Sequence, residues 1–175
     1  LRENGGQYTH GSIWSAIAFA MLGDGDKAHQ LFRIFDPLHH TQTPEGVQHY
    51  KVEPYVVCAD VYSVEPHVGR GGWTWYSGSA GWLYRAGLES LLGFQLRGDT
   101  LRIDPCIPKA WEGFGIEYRH GSSRYSISIE NPENVCRGVV RVELDGNELK
   151  EMSAIPLKDD RGRHRVRVML GRMSK

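Results

Sequence analysis

The chain is expected to be an α+β protein: helices of an all-α layer over residues 1 to 95, then a small antiparallel β-sandwich over residues 96 to 175. Three observations lead there. Apolar residues recur at helical spacing before Gly93. After it they alternate with polar residues at period two, the pattern of strands with one wet face. Asp145-Gly146 then sits between alternating runs as a tight hairpin signal.

Taken in order, Ile13, Trp14, Ile17, Ala18, Ala20, Met21 and Leu22 form the first helical stripe. Gly23-Asp24-Gly25-Asp26 breaks it, and Asp24 or Asp26 can cap a second helix with Ala28, Leu31, Phe32 and Phe35 on one face. The two helices make an αα-hairpin. Residues 36 to 53, with two prolines and many polar groups, read as a loop. Tyr55 to Tyr62 is apolar enough for a buried helix or a strand, and periodicity does not choose. Residues 63 to 76 form a loop rich in Gly, Pro and aromatic residues. Ser79 to Leu92 is helical again, with Ala80, Leu83, Tyr84, Gly87, Leu88, Leu91 and Leu92 as its buried side, closed by Gly93. The strands are Leu101–Pro105, Gly115–Arg119, Tyr125–Glu130, Val139–Leu144 and His164–Leu170.

Composition excludes several classes. Apolar residues are 40% of 175, enough for a core. Lys+Arg and Asp+Glu are both 21, which argues against a nucleic-acid binder. No apolar run reaches the length of a membrane span, and no signal peptide is seen. The three cysteines, Cys58, Cys106 and Cys136, have no zinc spacing and fit reduced thiols in the cytoplasm. Attachment of a parent protein to the bacterial inner membrane stays open. The chain starts at Leu1 without Met and reads as cut from something longer.

Two segments carry chemistry. Glu3-Asn4-Gly5-Gly6-Gln7-Tyr8-Thr9-His10 puts a histidine after a Gly-Gly pair and before a helix. Backbone approach and a helix N-terminus suit an anion; the alternative is a histidine capping its own helix. Ser77-Gly78-Ser79-Ala80-Gly81 is a Gly-rich turn entering a helix, suited to phosphate, or an ordinary N-cap with Ser77 or Ser79 as the capping residue. Trp73, Trp75, Tyr76 and Trp82 can bury sugar C–H faces or pack in the core. Glu53 and Glu65 stand in loops, each before a Pro, where either could bond sugar hydroxyls. No carboxylate pair for glycoside hydrolysis is evident. His39, His40 and His49 lack a carboxylate at fixed spacing, so no metal is expected.

Four ordered stretches resemble the C-terminal part of the glycoside phosphorylases that include cellobiose and chitobiose phosphorylase. They are Glu3–His10, Tyr50-Lys51-Val52-Glu53-Pro54-Tyr55, Trp73–Trp82 and Ile103-Asp104-Pro105-Cys106-Ile107-Pro108-Lys109-Ala110-Trp111. Ala59-Asp60-Val61-Tyr62-Ser63 and Gly69-Arg70-Gly71-Gly72-Trp73 look closest to bacterial cyclic β-1,2-glucan synthases. The resemblance implies C-terminal helices of an (α/α)6 barrel followed by a jelly-roll-like β domain. It implies phosphorolysis of a β-glucosidic bond with inversion, with inorganic phosphate as co-substrate and no other cofactor. His10, Ser77 and Gly78 then hold phosphate, Ser77 replacing the family's threonine. Glu53, Tyr55, Trp73 and Trp75 are the expected substrate contacts. Ala59 stands where some relatives have a phosphate-side glutamine. The family's general acid is an aspartate upstream, with no counterpart here. Expected partners are a β-glucan oligosaccharide, phosphate, the N-terminal remainder of the parent, and a second copy through exposed helix faces such as those of Trp14, Ile17, Leu83 and Leu91. The alternatives are a non-catalytic carbohydrate-binding fragment and a piece of a glucoamylase-like hydrolase.

Overall fold

The computed structural model describes residues 6–152 and 154–172. Its order is helices then strands, except that three two-residue strands set among the helices correct the expectation of an all-α layer before Gly93. Strand β1 (Gln7–Tyr8) runs into α1 (Thr9–Met21), followed by α2 (Gly25–Phe35). Their junction closes the αα-hairpin. Gly23, at φ 82°, sits past the end of α1, its N–H bonded to Ala20 O while the Asp24 N–H reaches Phe19 O. Asp24 then starts α2 by accepting from the Lys27 N–H at 3.0 Å. Ala28 and Phe35 are buried and Leu31 and Phe32 pack beside them, as the periodicity predicts.

Residues 36 to 53 are not simply a loop. They hold α3 (Pro37–His40) and α4 (Pro44–Tyr50). Asp36 and Thr43 cap them through the Leu38 and Gly46 N–H groups at 3.0 and 3.1 Å, with Pro at the first helical position. The signal was present, a capping residue directly before Pro, but the helices are too short for a period to show. The Tyr55–Tyr62 run is irregular apart from β2 (Asp60–Val61), which pairs on both sides, with β1 and with β3 (Gly71–Gly72).

Helix α5 (Ser77–Arg85) continues as a π-helical segment, Ala86–Leu91. Its buried side is Ser79, Ala86 and Leu91, with Leu83 partly covered. Ala80 and Tyr84, expected inside, are exposed. They line an open apolar depression of about 420 Å³ with Phe32, Leu83, Leu88 and Leu92. The helix is apolar on more of its circumference than α1 and α2 cover, so pattern alone overstates burial. Of the helix positions expected to be open, Trp14 is 52% exposed. Ile17 and Leu83 are partly covered, and Leu91 is buried. No described helix is long and apolar enough to cross a membrane.

The remaining strands are β4 (Phe94–Arg97), β5 (Thr100–Ile103), β6 (Gly113–His120), β7 (Ser123–Glu130), β8 (Val139–Leu144), β9 (Asn147–Glu148), β10 (Ile155–Pro156) and β11 (Arg163–Leu170). They form two sheets, β10-β5-β4 and β6-β7-β11-β8-β9. Both contribute to one apolar core of Leu101, Ile103, Tyr125, Ile127, Val142, Ile155, Val166, Val168 and others. The expected hairpin is present, with Asp145 and Gly146 at φ 52° and 81° between β8 and β9. The expected antiparallel arrangement needs correction. Strand β11 pairs with β7 in parallel from Arg163↔Arg124 to Met169↔Glu130, and only its other edge, against β8, is antiparallel. Alternation reports which face of a strand is wet and is blind to its neighbour's direction.

The helices and sheets meet at residues 104–109. The Asp104 and Cys106 N–H groups bond to Gly93 O and Leu91 O at 3.0 and 2.9 Å. Asp104 accepts a fork from Arg137 (3.2 and 2.7 Å) and a bond from Arg102 (2.7 Å), while Arg137 also donates to Met21 O at 3.4 Å. Asp26 of α2 accepts the Lys109 N–H at 3.0 Å. The backbone at Gly25 lies so close that an added Cβ would be 2.1 Å from Ile107 O.

His164 pins three pieces of the β region. Its Nδ1 faces Asp145 at 2.8 Å, its Nε2 faces Asp160 at 3.1 Å, and the ring stacks on Tyr125. Only the imidazolium can donate to both carboxylates, and Asp145 first, then Asp160, raise its pKa. Asp160 in turn is held down to about 2 by the Gly162 N–H, His164 and Ser123. A raised histidine pKa stabilises fully below the unfolded value of about 6.5 and ceases to as pH climbs through the folded value. Urea unfolding should therefore show stability falling as pH rises above about 6.5, and His164→Gln should reduce that slope. An unchanged slope in the variant would refute this role for His164.

Candidate functional site

The site grows from the small β1-β2-β3 ribbon. Pairing of β2 with both neighbours, with the Thr9 N–H on Ala59 O (2.9 Å) and the Ala59 N–H on Trp73 O (3.0 Å), lays the entry to α1 beside the loop that enters α5. The ribbon is close-packed where it is Gly-rich: a Cβ on Gly71 would meet Val52 at 2.2 Å, and one on Gly72 would meet Asp60 at 2.6 Å. Below it, buried Cys58 lies 3.3 Å from Tyr50 Oη and 3.8 Å from Thr9 Oγ1. Burial and this thiol push the Tyr50 phenol up.

The ribbon brings two helix N-termini together. Helix α1 starts after Tyr8 and α5 after Tyr76, and neither tyrosine caps its helix with a side-chain bond. Instead the two phenols bond to each other at 3.1 Å. Apart from the Thr9 N–H on Ala59 O, the first-turn N–H groups of both helices are left without a capping side chain among the described residues, and both macrodipoles favour an anion at this end. His10, in the first turn of α1, lies over Gly78: a Cβ there would come within 3.4 Å of His10 Nδ1. His10 is held by aromatic rings, edge-on to Trp14 at 5.2 Å and near Tyr8 and Trp82 at 5.8 and 6.0 Å.

Neither capping alternative holds. His10 makes no cap bond to α1, and Ser77 and Ser79 lie inside α5, after its N-cap Tyr76. Ser77 is exposed; the Ser79 hydroxyl is fully buried without a hydrogen-bond partner among the described residues. Of the aromatic run, Trp82 packs with the helical core, while Trp73 and Trp75 are 65% and 69% exposed. Both have left-handed backbone, φ 50° and 62°, which costs a non-Gly residue roughly 1–2 kcal/mol each. Trp73 leans on Tyr76 at 5.8 Å and so joins the Tyr8–His10 group. Trp75 pairs with exposed Tyr55 at 6.0 Å, apart from that group. Glu53 is half-buried, and no described side-chain bond ties it to the others. Ala59 is fully buried and offers no side-chain donor. Glu3, Asn4 and Gly5 lie outside the described residues.

The structure therefore sets His10 beside Gly78, links Trp73 to His10 through Tyr76 and Tyr8, leaves Ser77 as the first residue of α5 next to Gly78, and sets Tyr55 with Trp75. Sequence reading passed over the Tyr8–Tyr76 bridge. Its signal was slight: a tyrosine just ahead of each helix start, where Ser, Thr, Asp or Asn is usual.

Residues 1–93 match the family described as the glycosyl hydrolase 94 superfamily, catalytic domain. The chain is 46% identical over 142 residues to cyclic β-(1,2)-glucan synthase NdvB of Rhizobium meliloti, covering 81% of this chain and 5% of that protein. It is 31% identical over 173 residues to N,N'-diacetylchitobiose phosphorylase of Vibrio furnissii, covering 98% of this chain and 21% of that one. A 1,2-β-oligoglucan phosphorylase of Listeria innocua is 27% identical over 126 residues, covering 64% and 12%. The chain thus spans 5% and 21% of the length of the first two relatives.

Because the Ser79 hydroxyl is buried and unpartnered, Ser79→Ala should leave the isolated chain as stable as before, or about 1 kcal/mol more so. Chemical denaturation measures this. A loss of more than about 1 kcal/mol would mean the hydroxyl has a protein partner after all.

Proposed function

The chain belongs to the glycosyl hydrolase 94 superfamily, and from that premise we propose that it supplies the phosphate-binding side of an inverting glycoside phosphorylase-type domain acting on β-glucan. In this reading residues 1 to 95 are C-terminal helices of an (α/α)6 barrel and residues 96 to 175 a jelly-roll-like β domain. The observation that carries it is His10 set over Gly78 where two uncapped helix N-termini meet. The relatives' names, a cyclic β-(1,2)-glucan synthase and a chitobiose phosphorylase, support the substrate class.

Phosphate sits between His10, the Ser77 hydroxyl and the Gly78 N–H. It is anionic at neutral pH, so it needs positioning more than a general base. One of its oxygens attacks the anomeric carbon, the glycosidic C–O bond breaks, and the departing sugar oxygen takes a proton from an aspartate of the parent protein. Phosphate stands where water stands in an inverting hydrolase, which gives inversion and an α-sugar 1-phosphate. Trp73, with Trp75 and Tyr55 beside it, offers flat apolar rings to the sugar, and Glu53 its carboxylate to hydroxyls. The open apolar face around Phe32, Leu83 and Tyr84 seats further helices of the parent, or a second copy when they are absent.

Two measurements test this. The isolated chain should release no sugar 1-phosphate from β-glucan, since the acid, worth about 10²–10⁴-fold, is not among its residues. In the parent enzyme His10→Ala should raise KM for phosphate and lower kcat/KM by roughly 1.5–3 kcal/mol, and Ser77→Ala by about 0.5–1.5 kcal/mol. Ser77→Thr keeps the oxygen and should be near neutral. Arg141→Ala, exposed on β8, should leave phosphate kinetics unchanged. Equal effects of His10→Ala and Arg141→Ala in a phosphate titration would overturn the assignment.

A further inference from the structure

The outer face of the five-stranded sheet holds a charge arrangement that the phosphate site does not use. Arg119 on β6 stands opposite Arg124 on β7, and Arg124 opposite Arg163 on β11. Residues paired in register point to the same face, and all three are exposed. Three arginines thus lie in a row on adjacent strands spaced about 4.8 Å. Further along the same face Arg165 stands beside Ser126, and Arg167 beside Ser128 and Glu143. These line a groove of about 570 Å³ that continues from the row.

Like charges directly opposite on a sheet repel, and none of the three row arginines forms an ion pair among the described residues. The carboxylates on this face and its rim keep their charge but are hydrogen-bonded to other groups. Glu130 takes a fork from Arg167 at 2.7 and 2.7 Å, Glu143 pairs with Arg141 at 2.8 Å, and Glu117 accepts from Ser126 at 2.6 Å. Asp145 takes His164 and the Arg165 N–H, Asp159 takes Ser122, and Asp160 takes Ser123, Gly162 and His164. The guanidinium groups of Arg119, Arg124, Arg163 and Arg165 have no ion pair or hydrogen bond among the described residues.

Guanidinium forks match flat oxyanions, and the hydroxyl oxygens of Ser126 and Ser128, whose protons go to Glu117 and Val166 O, accept from sugar hydroxyls. We propose that this face binds an anionic oligosaccharide, with acid groups (phosphate, sulfate or carboxylate) on the Arg119–Arg124–Arg163 row and neighbouring sugar units in the Ser126–Ser128 groove. A single-stranded nucleic acid fits less well, because it would call for aromatic stacking platforms beside the basic row. The strand positions of this face carry none.

The test titrates the 175-residue chain with short dextran sulfate, with neutral dextran of the same length, and with single-stranded DNA of matched charge, at low and at physiological salt. Dextran sulfate should bind, more weakly as salt rises; neutral dextran should not bind; DNA should bind about ten-fold more weakly than dextran sulfate. Arg124→Gln and Arg163→Gln should each weaken dextran sulfate binding about ten-fold, whereas Arg97→Gln, on the other sheet, should change it less than about two-fold. Relief of repulsion should leave both row variants at least as heat-stable as the parent chain, so a folded protein is available for titration. The proposal is overturned by absence of dextran sulfate binding, by equal binding of neutral dextran or DNA, or by Arg97→Gln acting as strongly as Arg124→Gln.

Discussion

The contact that everything else depends on is the passage of residues 104–109 between the helices and the sheets. It needs backbone against backbone at two places. At Gly25 a Cβ would reach Ile107 O at 2.1 Å, and at Gly93, φ 71°, it would reach the Asp104 carbonyl carbon at 2.2 Å. Only residues without a side chain permit this approach. The gain is a set of satisfied polar ends. Leu91 O, Gly93 O and Met21 O, all at or just past helix ends, receive N–H groups from this segment or from Arg137. Burial alone would raise the Asp104 pKa, but Arg137 and Arg102 outweigh it and hold the carboxyl below its usual range. These contacts tie the end of α1, the start of α2 and the end of the segment that continues α5 to the sheets, while the first turns of α1 and α5 meet at the other end.

That convergence explains an oddity of the site. A helix usually begins with a short polar side chain that satisfies its first N–H groups. Here two helices begin after tyrosines that bond to each other, and the first turns keep their donors without a capping side chain. An anion can satisfy both ends at once, so an arrangement that weakens each helix slightly suits a ligand. The two tryptophans in left-handed backbone fit the same pattern. Strain of this kind persists where the surroundings hold it, and here the Gly71-Gly72 pairing with β2 does so. The second basic feature, the arginine row, lies on the sheet and owes nothing to these helix ends. The two would recognise anions by different physics, one by backbone donors and dipoles, the other by side-chain charge.

Much of this was legible in the sequence, and the misses have physical reasons. The αα-hairpin was readable because Gly23-Asp24 both ends one helix and caps the next within two residues. The β8–β9 hairpin was readable because Asp145-Gly146 tolerates two consecutive positive φ values. Helices α3 and α4 were missed because four and seven residues show no period. The open side of α5 was misassigned because an apolar residue looks the same whether its partner lies in the chain or outside it. His10, Ser77 and Gly78 stood out by residue type and by resemblance, and Glu53 did too; the structure sets His10 beside Gly78, while no described side-chain bond ties Glu53 to them.

The sequence by itself determined the order of helices before strands, the family, and the residue types able to hold an anion, because these follow from local periodicity, turn chemistry and motif. Tertiary structure alone decided that His10 lies over Gly78, 68 residues away. It decided that β11 runs parallel to β7 and that three arginines fall into register across three strands. Each of these is a contact between segments far apart in the chain. Pairing direction and register are set by which surfaces can be buried together, and a linear pattern of polar and apolar residues does not contain that information.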